Sequence, residues 1–194
     1  STAEDKVVYL SFDVGYENGN VAKVLDAMKE ENVTGAFFIL GHVACKESAL
    51  VRRMATEGHL VCNHTYDHRI MTGANASKLP GELRRLENAC RETAGVEMAK
   101  YFRPPEGQFD RAMLETVAGM GYKTVFWSFA YADWDNDKQP SADTAKNILH
   151  DHLHNGAVIL LHSTSKTNAE ILDELLTKWE NEGYVIRSID KLFG

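Results

Sequence analysis

The stretch Val61-Cys62-Asn63-His64-Thr65-Tyr66-Asp67-His68 shows the pattern on which the fold of this chain is built. The apolar run at 59–62 predicts a buried strand, and it leads into two histidines four positions apart. If the chain turns helical as it leaves the strand, both imidazoles lie on one face and reach one ion. Neutral imidazole suits zinc and similar divalent metals. Taken alone, the pair favours two surface or structural histidines that flank a turn.

The same alternation of apolar runs and polar ends continues along the chain. Six further runs have the composition of buried strands, at 7–12, 34–40, 101–102, 123–129, 157–161 and 184–189. Helical periodicity lies between most of them, at 21–28, 48–57, 77–94, 110–120, 141–154 and 168–182. Strands that alternate with helices over short connections predict parallel βα units. We therefore expect a single α/β domain over residues 1–194, as a barrel or a doubly wound sheet.

Length, composition and charge limit the possible classes of protein. A chain of 194 residues is long enough for one substantial core and too short for two domains of ordinary size. No apolar run has the length of a membrane span, and no signal-peptide pattern opens the sequence. The net charge of −7, without a cluster of Lys or Arg, argues against nucleic acid as a partner. Cys45, Cys62 and Cys90 are too widely spaced for a disulfide framework or a zinc ribbon.

Chemically active side chains stand at or just beyond the carboxyl ends of the predicted strands. In parallel α/β folds these ends meet on one face, where active sites are built. Each residue alone has an ordinary explanation, such as a turn-capping aspartate, a surface arginine or a histidine satisfied in the core. Six of them at successive strand ends are harder to explain in this way. They are Asp13, His64, His68, Arg103, Asp133 and His162.

Together these residues suit a metal-assisted hydrolase. The two histidines of the opening stretch would hold a divalent ion, which activates a water molecule and polarises a carbonyl group. Asp13 would take the proton from that water, and Arg103 would keep Asp13 ionised and oriented. His162 would protonate the leaving group, with Asp133 keeping the imidazole protonated.

Five segments, in this order along the chain, resemble the motifs of the polysaccharide deacetylase family, the NodB-homology carbohydrate esterases. The resemblance extends from Val7 to around Asp190 and implies a distorted (β/α) barrel with seven parallel strands. It also implies metal-dependent removal of N-acetyl groups from an amino-sugar polymer. The segments are Ser11-Phe12-Asp13-Val14-Gly15, His64-Thr65-Tyr66-Asp67-His68, Arg103-Pro104-Pro105-Glu106-Gly107, Asp133-Trp134 and Leu160-Leu161-His162-Ser163.

The resemblance assigns the same catalytic and metal-binding roles to these residues and adds a group that would bind substrate. Trp134 and Leu160 would form the wall of the pocket for the acetyl methyl group, although core packing explains Trp134 nearly as well. The backbone N–H of Glu106 would help to bind the oxyanion, whatever its side chain. The complete substrate-binding set is Tyr16, Pro104, Glu106, Trp134 and Leu160.

Val14 departs from the family pattern. Most of the family has a second aspartate there, a metal ligand, and the muramic acid branch tends to have asparagine. Because valine cannot coordinate an ion, the metal would rest on two histidines and non-protein ligands. We therefore expect a weakly held divalent ion, zinc first and cobalt second. The chain is either an enzyme with a weak metal site or a family member whose catalysis has decayed, and the remaining catalytic residues favour the enzyme.

Several segments are most similar to the peptidoglycan N-acetylmuramic acid deacetylases, namely Gly15-Tyr16-Glu17-Asn18-Gly19, 102–107, Val125-Phe126-Trp127-Ser128 and Asn168-Ala169-Glu170. Those enzymes make the muramic δ-lactam precursor of bacterial spore cortex. The resemblance implies a peptidoglycan strand as partner, a monomer, and an extracytoplasmic location, secreted or bound to the cell wall, with a signal or anchor removed. Two alternatives stay open: a deacetylase of N-acetylglucosamine or chitin-type residues, and a glycan-binding protein without turnover.

Overall fold

The computed structural model describes residues 6–193 of the chain. The strands are β1 (Lys6–Val14), β2 (Ala36–Ile39), β3 (Leu60–Asn63), β4 (Tyr101–Phe102), β5 (Lys123–Thr124), β6 (Phe129–Ala130), β7 (Ala157–His162) and β8 (Tyr184–Ile186). The α-helices are α1 (Asn20–Glu30), α2 (Gly41–Lys46), α3 (Ser48–Thr56), α4 (Leu79–Ala89), α5 (Arg111–Gly119), α6 (Ala142–Asp151) and α7 (Lys166–Asn181).

Backbone contacts divide the chain into two compact units. Of the described residues, one unit comprises 6–36 and 127–193, and the other comprises Phe37–Phe126. The predicted domain of 1–194 has its two ends, 1–5 and 194, outside the described residues, and its extent stays a prediction. The predicted class, α/β with parallel strands, is confirmed, because every strand pair whose register is given is parallel.

In the first unit the strand order is β8–β1–β7–β6. Every residue of β1 after Lys6 is buried, which is why its sequence is mostly apolar, with Ser11 and Asp13 as its buried polar residues. β1 and β7 run side by side, with Asp13 directly opposite His162. The apolar face of α7 is buried, and α7 packs against α1. This packing fixes the carboxyl ends of β1 and β7 at one edge of the sheet.

In the second unit the strand order is β2–β3–β4–β5. Asn63 at the end of β3 lies opposite Phe102 of β4, so the residues that follow, His64 and Arg103, leave the sheet together. A cluster of apolar side chains from α4, α5 and the strand ends supports this edge. Its buried members are Met71, Leu79, Leu83, Phe102, Met113, Val117 and Tyr122.

Two expectations about local structure are wrong, and one short helix was not predicted. The chain does not turn helical after β3: 64–68 is an irregular loop in which Thr65 and His68 have φ of 68° and 54°. The strand expected at 123–129 is two short strands, β5 and β6, separated by an irregular segment. The short helix α2 was not expected at all.

Other sequence features appear where they were expected. The side chain of Asp110 caps α5 by accepting from the N–H of Met113 at 2.7 Å. Cys62 is fully buried, and all three cysteines are free thiols. Within residues 6–193, no helix has the length and apolar character needed to span a membrane.

Candidate active site

A buried carboxylate holds the imidazole at the end of β7. The Nδ1 of His162 lies 2.7 Å from Oδ1 of Asp133, and the backbone N–H of His162 donates to Oδ2 at 2.7 Å. Asp133 is fully buried, whereas about a quarter of the His162 side chain is exposed, 26%. Because the carboxylate accepts from Nδ1, the outer nitrogen Nε2 is the one that can exchange a proton with a substrate.

Two further residues complete the surroundings of this carboxylate. The Nδ2 of Asn168 donates to Oδ2 of Asp133 at 2.6 Å. The hydroxyl of Tyr131 in turn donates to Oδ1 of Asn168. Burial, with the nearby charge of Asp133 as a smaller cause, raises the pKa of the Tyr131 hydroxyl above its ordinary value. Tyr131 therefore stays a protonated donor at any physiological pH.

Asp13, the predicted base, ends a strand that is buried throughout. Its side chain is 7% exposed, and its carbonyl oxygen accepts from the backbone N–H of Ser163 at 3.4 Å. The register of β1 against β7 places Asp13 beside His162. The first unit thus brings together the carboxylate and the imidazole that the sequence predicts as base and acid.

The three predicted substrate-binding residues of the first unit differ in exposure. Trp134 is 60% exposed, so core packing does not explain it, and its ring stands edge-on to His162 with centroids 6.1 Å apart. Tyr16 is also largely exposed, and Nδ2 of Asn136 donates to its hydroxyl. Leu160 is buried in β7. Two aromatic faces are therefore accessible for contact with a sugar ring.

In the second unit the loop after β3 brings the two predicted metal ligands together. The rings of His64 and His68 have centroids 4.9 Å apart, at an angle of 67°. Nδ1 of His64 lies 2.8 Å from the carbonyl oxygen of Arg103. Because a carbonyl only accepts, Nδ1 carries the proton, and the lone pair of the neutral ring is on Nε2. A backbone carbonyl in this position is the usual second partner of a metal-binding histidine.

The backbone of this loop is strained and supported from α4. Thr65 is fully buried at positive φ, which is rare for a β-branched residue, and its hydroxyl has no partner among the described residues. The carboxylate of Glu82 in α4 accepts from the N–H groups of Tyr66 and Asp67, at 3.1 and 2.9 Å. The loop conformation is therefore imposed by its surroundings, and imposed strain is typical of functional sites.

Arg103 is fully buried, so the ordinary explanation of this residue as a surface arginine is wrong. Its Nε donates to the carbonyl oxygen of Val125 at 3.2 Å. Its guanidinium group lies 4.1 Å from the centroid of the Phe38 ring. These contacts fix the direction of the side chain from β4. Its predicted role, as the partner of the base, stays a prediction.

The loop after Arg103 carries the other two predicted substrate-binding residues. Pro104 is buried, whereas Glu106 is exposed and has φ 56° and ψ 13°, the left-handed region that non-glycine residues seldom occupy. Nε2 of Gln108 donates to the Glu106 carboxylate at 3.1 Å. This conformation turns the backbone at Glu106 away from the extended direction of β4. The role of the Glu106 backbone N–H in oxyanion binding stays a prediction.

The donors present fit a divalent ion of the kind that imidazole prefers, with two protein ligands. Within residues 6–193, no group of three or more His, Cys, Asp or Glu side chains is arranged to hold a metal. Val14, at the position of the usual family ligand, is fully buried. Any ion at His64 and His68 would need water or substrate at its other positions.

The chain is similar to known proteins over almost its whole length. The sequence model "Polysaccharide deacetylase" matches residues 1–125. The peptidoglycan-N-acetylmuramic acid deacetylase PdaA of Bacillus subtilis is 39% identical over 189 residues, which cover 97% of this chain and 72% of PdaA. The solved structure of PdaA, a family 4 carbohydrate esterase, matches with a TM-score of 0.92, covering 97% of this chain and 81% of that one.

Two other relatives agree with this match. A family 4 carbohydrate esterase from Bacillus anthracis is 37% identical with a TM-score of 0.82, covering 97% of this chain and 83% of that one. The peptidoglycan-N-acetylglucosamine deacetylase PgdA of Listeria monocytogenes is 30% identical over 98% of this chain and 39% of its own length. The chain belongs to the polysaccharide deacetylase family and is a hydrolase that acts on amide bonds. Its predicted NodB-type fold is confirmed by the similarity to the solved structure of PdaA.

Sequence reasoning assigned no site role to three residues that the structure links to the site. Asn168 contacts Asp133 and His162, Tyr131 contacts Asn168, and Glu82 contacts the loop that carries His64 and His68. The hydrogen bonds of Asn168 and Glu82 cross many positions of sequence, 35 in the case of Asn168 and Asp133. Spacing within one element carries no signal for such contacts. For Asn168 one signal was available, because Ser165 three residues earlier is a good cap that leaves the Asn168 side chain unused.

Proposed function

We propose that this protein is a metal-dependent N-deacetylase of peptidoglycan that acts on N-acetylmuramic acid residues. The observation that carries the proposal is the buried Asp133 carboxylate on Nδ1 of His162, at 2.7 Å, with Asp13 in register beside it. This arrangement supplies an acid and a base for amide hydrolysis from one edge of a sheet. The 39% identity to PdaA over almost the whole chain supports the choice of substrate.

Hydrolysis consumes one water and converts the N-acetyl group into acetate and a free amine. The carboxylate of Asp13 accepts a proton from the water molecule while the water oxygen attacks the carbonyl carbon of the acetyl group. His162, protonated on both nitrogens, donates the Nε2 proton to the departing nitrogen as the C–N bond breaks. Asp133 stays ionised, orients the ring and balances the charge of the imidazolium.

His64 and His68 would hold the divalent ion, through Nε2 in the case of His64. A bound ion would activate the water and polarise the acetyl carbonyl, which is the chemistry that such ions supply in amide hydrolases. The hydrogen bond from Nδ1 of His64 to the Arg103 carbonyl fixes the ring in the tautomer that binding requires. Zinc is the first expectation and cobalt the second, because imidazole is a borderline ligand.

The glycan would contact the exposed aromatic rings of the first unit. Trp134 stands edge-on to the catalytic imidazole, which suits a wall for the acetyl methyl group, and Leu160 would add apolar surface. Tyr16 would stack on a sugar ring. In the second unit the backbone N–H of Glu106 would donate to the oxyanion.

The experiment measures acetate released from peptide-free peptidoglycan strands by metal-stripped protein, with zinc, cobalt or nothing added back. We expect turnover that returns with metal and is lost in Asp13→Asn. Thr177→Ala, which removes an exposed hydroxyl bonded to Glu31, is a matched control that should keep full activity. Metal binding is measured separately by calorimetry. Absence of turnover with every metal, for protein that binds the metal and is folded, would refute the proposal.

Two other functions have specific observations behind them. The 30% identity to the Listeria PgdA keeps open an N-acetylglucosamine or chitin-type substrate. Equal rates on chitooligosaccharide and on peptide-free peptidoglycan would exclude a muramic acid specialist. The buried Val14, which cannot be a ligand, favours a glycan-binding protein with weakened catalysis. Binding of strands without acetate release would support that function.

A role in forming spore cortex and an extracytoplasmic location are parts of the same proposal. They rest on the similarity to PdaA and on the fact that peptidoglycan lies outside the cytoplasmic membrane. Muramic δ-lactam, measured by mass spectrometry in the cortex of spores with and without the protein, tests the role. A cortex with unchanged δ-lactam content after deletion would refute it.

A further inference from the structure

The Asp133 carboxylate receives three hydrogen bonds, of which only two come from His162. The third comes from Nδ2 of Asn168 at 2.6 Å, shorter than the two of 2.7 Å. Asn168 is 1% exposed, in the first turn of α7. A buried amide can make such a bond only if its nitrogen, and not its oxygen, faces the carboxylate.

We propose that Asn168, oriented by Tyr131, is a positioning residue that fixes Asp133 against the catalytic imidazole. The amide of Asn168 has two nearly isosteric orientations. In one, Nδ2 donates to Asp133; in the other, Oδ1 faces the carboxylate and repels it. In the first orientation the Tyr131 hydroxyl donates to Oδ1, which leaves Nδ2 to donate to Asp133 and to the His162 carbonyl.

Tyr131 is suited to this role because its hydroxyl keeps the proton that it donates to Oδ1 of Asn168. Burial and the charge of Asp133 both raise the pKa of its hydroxyl, so the proton is retained across the working pH range. Nδ2 of Asn168 also donates to the carbonyl oxygen of His162, at 3.3 Å. The amide therefore contacts both members of the pair, the Asp133 side chain and the His162 backbone.

The start of α7 does not depend on this side chain. The backbone N–H of Asn168 donates to Oγ of Ser165 at 3.1 Å, so Ser165 is the N-cap of the helix. The Oγ of Ser165 in turn donates to Oε1 of Gln139. Ser165 therefore caps this end of the helix, and the side-chain amide of Asn168 is left to donate to Asp133 and His162.

The expected change in kcat rests on the proposed function, whereas the positioning of Asp133 by Asn168 can be tested without turnover. The variants are Asn168→Leu, which keeps the approximate shape and removes both polar atoms, and Tyr131→Phe, which removes only the hydroxyl. Ser165→Ala is the matched control, since it weakens the same helix end without touching Asp133. We expect kcat to fall about ten- to a hundredfold in Asn168→Leu and less in Tyr131→Phe, with KM unchanged in both.

A fourth variant gives a pH signature that a purely structural role would not produce. Asn168→Asp places a second carboxyl group against Oδ2 of Asp133, and two carboxylates at that distance cannot both be ionised. When protonated, the new group can donate as the amide did. The ratio of its kcat to that of the parent should therefore rise as the pH falls, whereas the ratio for Asn168→Leu should stay constant.

Proton NMR of the Nδ1–H of His162 provides a readout that needs no turnover. A low-field resonance, protected from exchange, is expected in the parent protein and in Ser165→Ala, and is expected to shift or exchange rapidly in Asn168→Leu. An unchanged resonance in Asn168→Leu would overturn the inference, as would an equal loss of kcat in Ser165→Ala. If the parent releases no acetate, the proposed function fails, and the resonance alone decides the positioning role.

Discussion

Val14 is the residue at which the sequence departs from the family pattern, and its complete burial determines what a replacement would do. In Val14→Asp without metal, the new carboxylate is buried unpaired, which costs several kcal/mol or forces protonation. If position 14 replaces a metal ligand, as the resemblance implies, the same carboxylate would supply a hard oxygen ligand when the metal is present. We expect a lower melting temperature for the metal-free variant and zinc affinity at least about tenfold above that of the parent.

Val14→Asn is the control for this prediction, because its amide oxygen is a neutral and weaker ligand of similar size. Its metal-free form should be destabilised less, and its zinc affinity should lie between those of the parent and Val14→Asp. Calorimetric titration with zinc and thermal unfolding with and without the ion measure both effects. Unchanged zinc affinity in Val14→Asp would show that this position does not replace a metal ligand.

His59 gives the second unit a definite response to acid. Burial lowers its pKa from 6.5 to about 4, with Glu57 opposing and Arg53 adding to the effect, and its ring packs edge-on against Phe37. In the unfolded chain the pKa is close to 6.5, so the unfolded state binds a proton first as the pH falls. The stabilisation from the neutral ring is complete above pH 6.5 and is lost towards pH 4. The loss amounts to roughly 3 kcal/mol at most.

Urea unfolding between pH 7.5 and 4 tests the prediction for His59, with His59→Leu as the comparison. The difference in unfolding free energy between parent and variant should change with pH over this range, because the leucine binds no proton in either state. Acidic residues titrate in both proteins and cancel in the difference. A difference that stays constant with pH would show that His59 titrates normally in the folded protein.

At the scale of elements, α4 holds the loop that carries His64 and His68. Glu82 accepts two successive backbone N–H groups of the loop through one oxygen, and the guanidinium of Arg85 covers the Tyr66 ring at 3.6 Å. We expect Glu82→Ala to leave both N–H groups without this acceptor, and to weaken zinc binding about tenfold or more, because the loop then loses its imposed conformation.

Two comparisons sharpen the Glu82 prediction. Glu82→Gln keeps an acceptor oxygen in place and should bind zinc nearly as the parent does. Arg84→Ala changes an exposed residue of the same helix and should have no effect. Zinc affinity is measured by calorimetry and the loop by the ring resonances of the two histidines. If Glu82→Ala binds zinc as tightly as Arg84→Ala, α4 does not support the loop.

The elements also show what the sequence could and could not predict. Buried parallel strands were predictable, because a strand that is covered on both faces, such as β1, is a nearly continuous run of apolar residues without regular polar–apolar alternation. The helix expected after β3 was wrong because Thr65 and His68 have positive φ, and Glu82, distant in sequence, holds the loop by accepting from the N–H groups of Tyr66 and Asp67. The short α2 was missed because six residues contain too little periodicity to detect.

At the scale of the whole molecule, the positions of the chemical residues were predictable and their supporting residues were not. Parallel strands direct their carboxyl ends to one edge, so residues that follow buried runs become candidates from sequence alone. Asp133 and His162 are such a pair and lie in contact. Asn168 and Tyr131 lie outside strand ends, and only the folded chain shows their link to Asp133.

The predicted catalytic and metal-binding residues are divided between the two units, so their proposed cooperation has to be tested on the whole protein. Asp13 belongs to the first unit and His64 to the second. If Asp13 and His64 act in one chemical step, removing either side chain abolishes the same rate enhancement. The kcat/KM of the double variant should then be little lower than that of the worse single variant. We expect Asp13→Asn and His64→Ala each to lower kcat/KM about a thousandfold, and the double variant to lower it by a similar factor.

Acetate release at saturating zinc measures this cycle, with circular dichroism to confirm that each variant is folded. A second cycle pairs Asp13→Asn with Lys146→Ala, which removes surface ion pairs to Asp143 and Glu174. That cycle should be additive, because exposed ion pairs contribute little and take no part in the reaction. Additive losses from Asp13→Asn and His64→Ala would instead mean that base and metal ligand serve separate steps, contrary to the proposed mechanism.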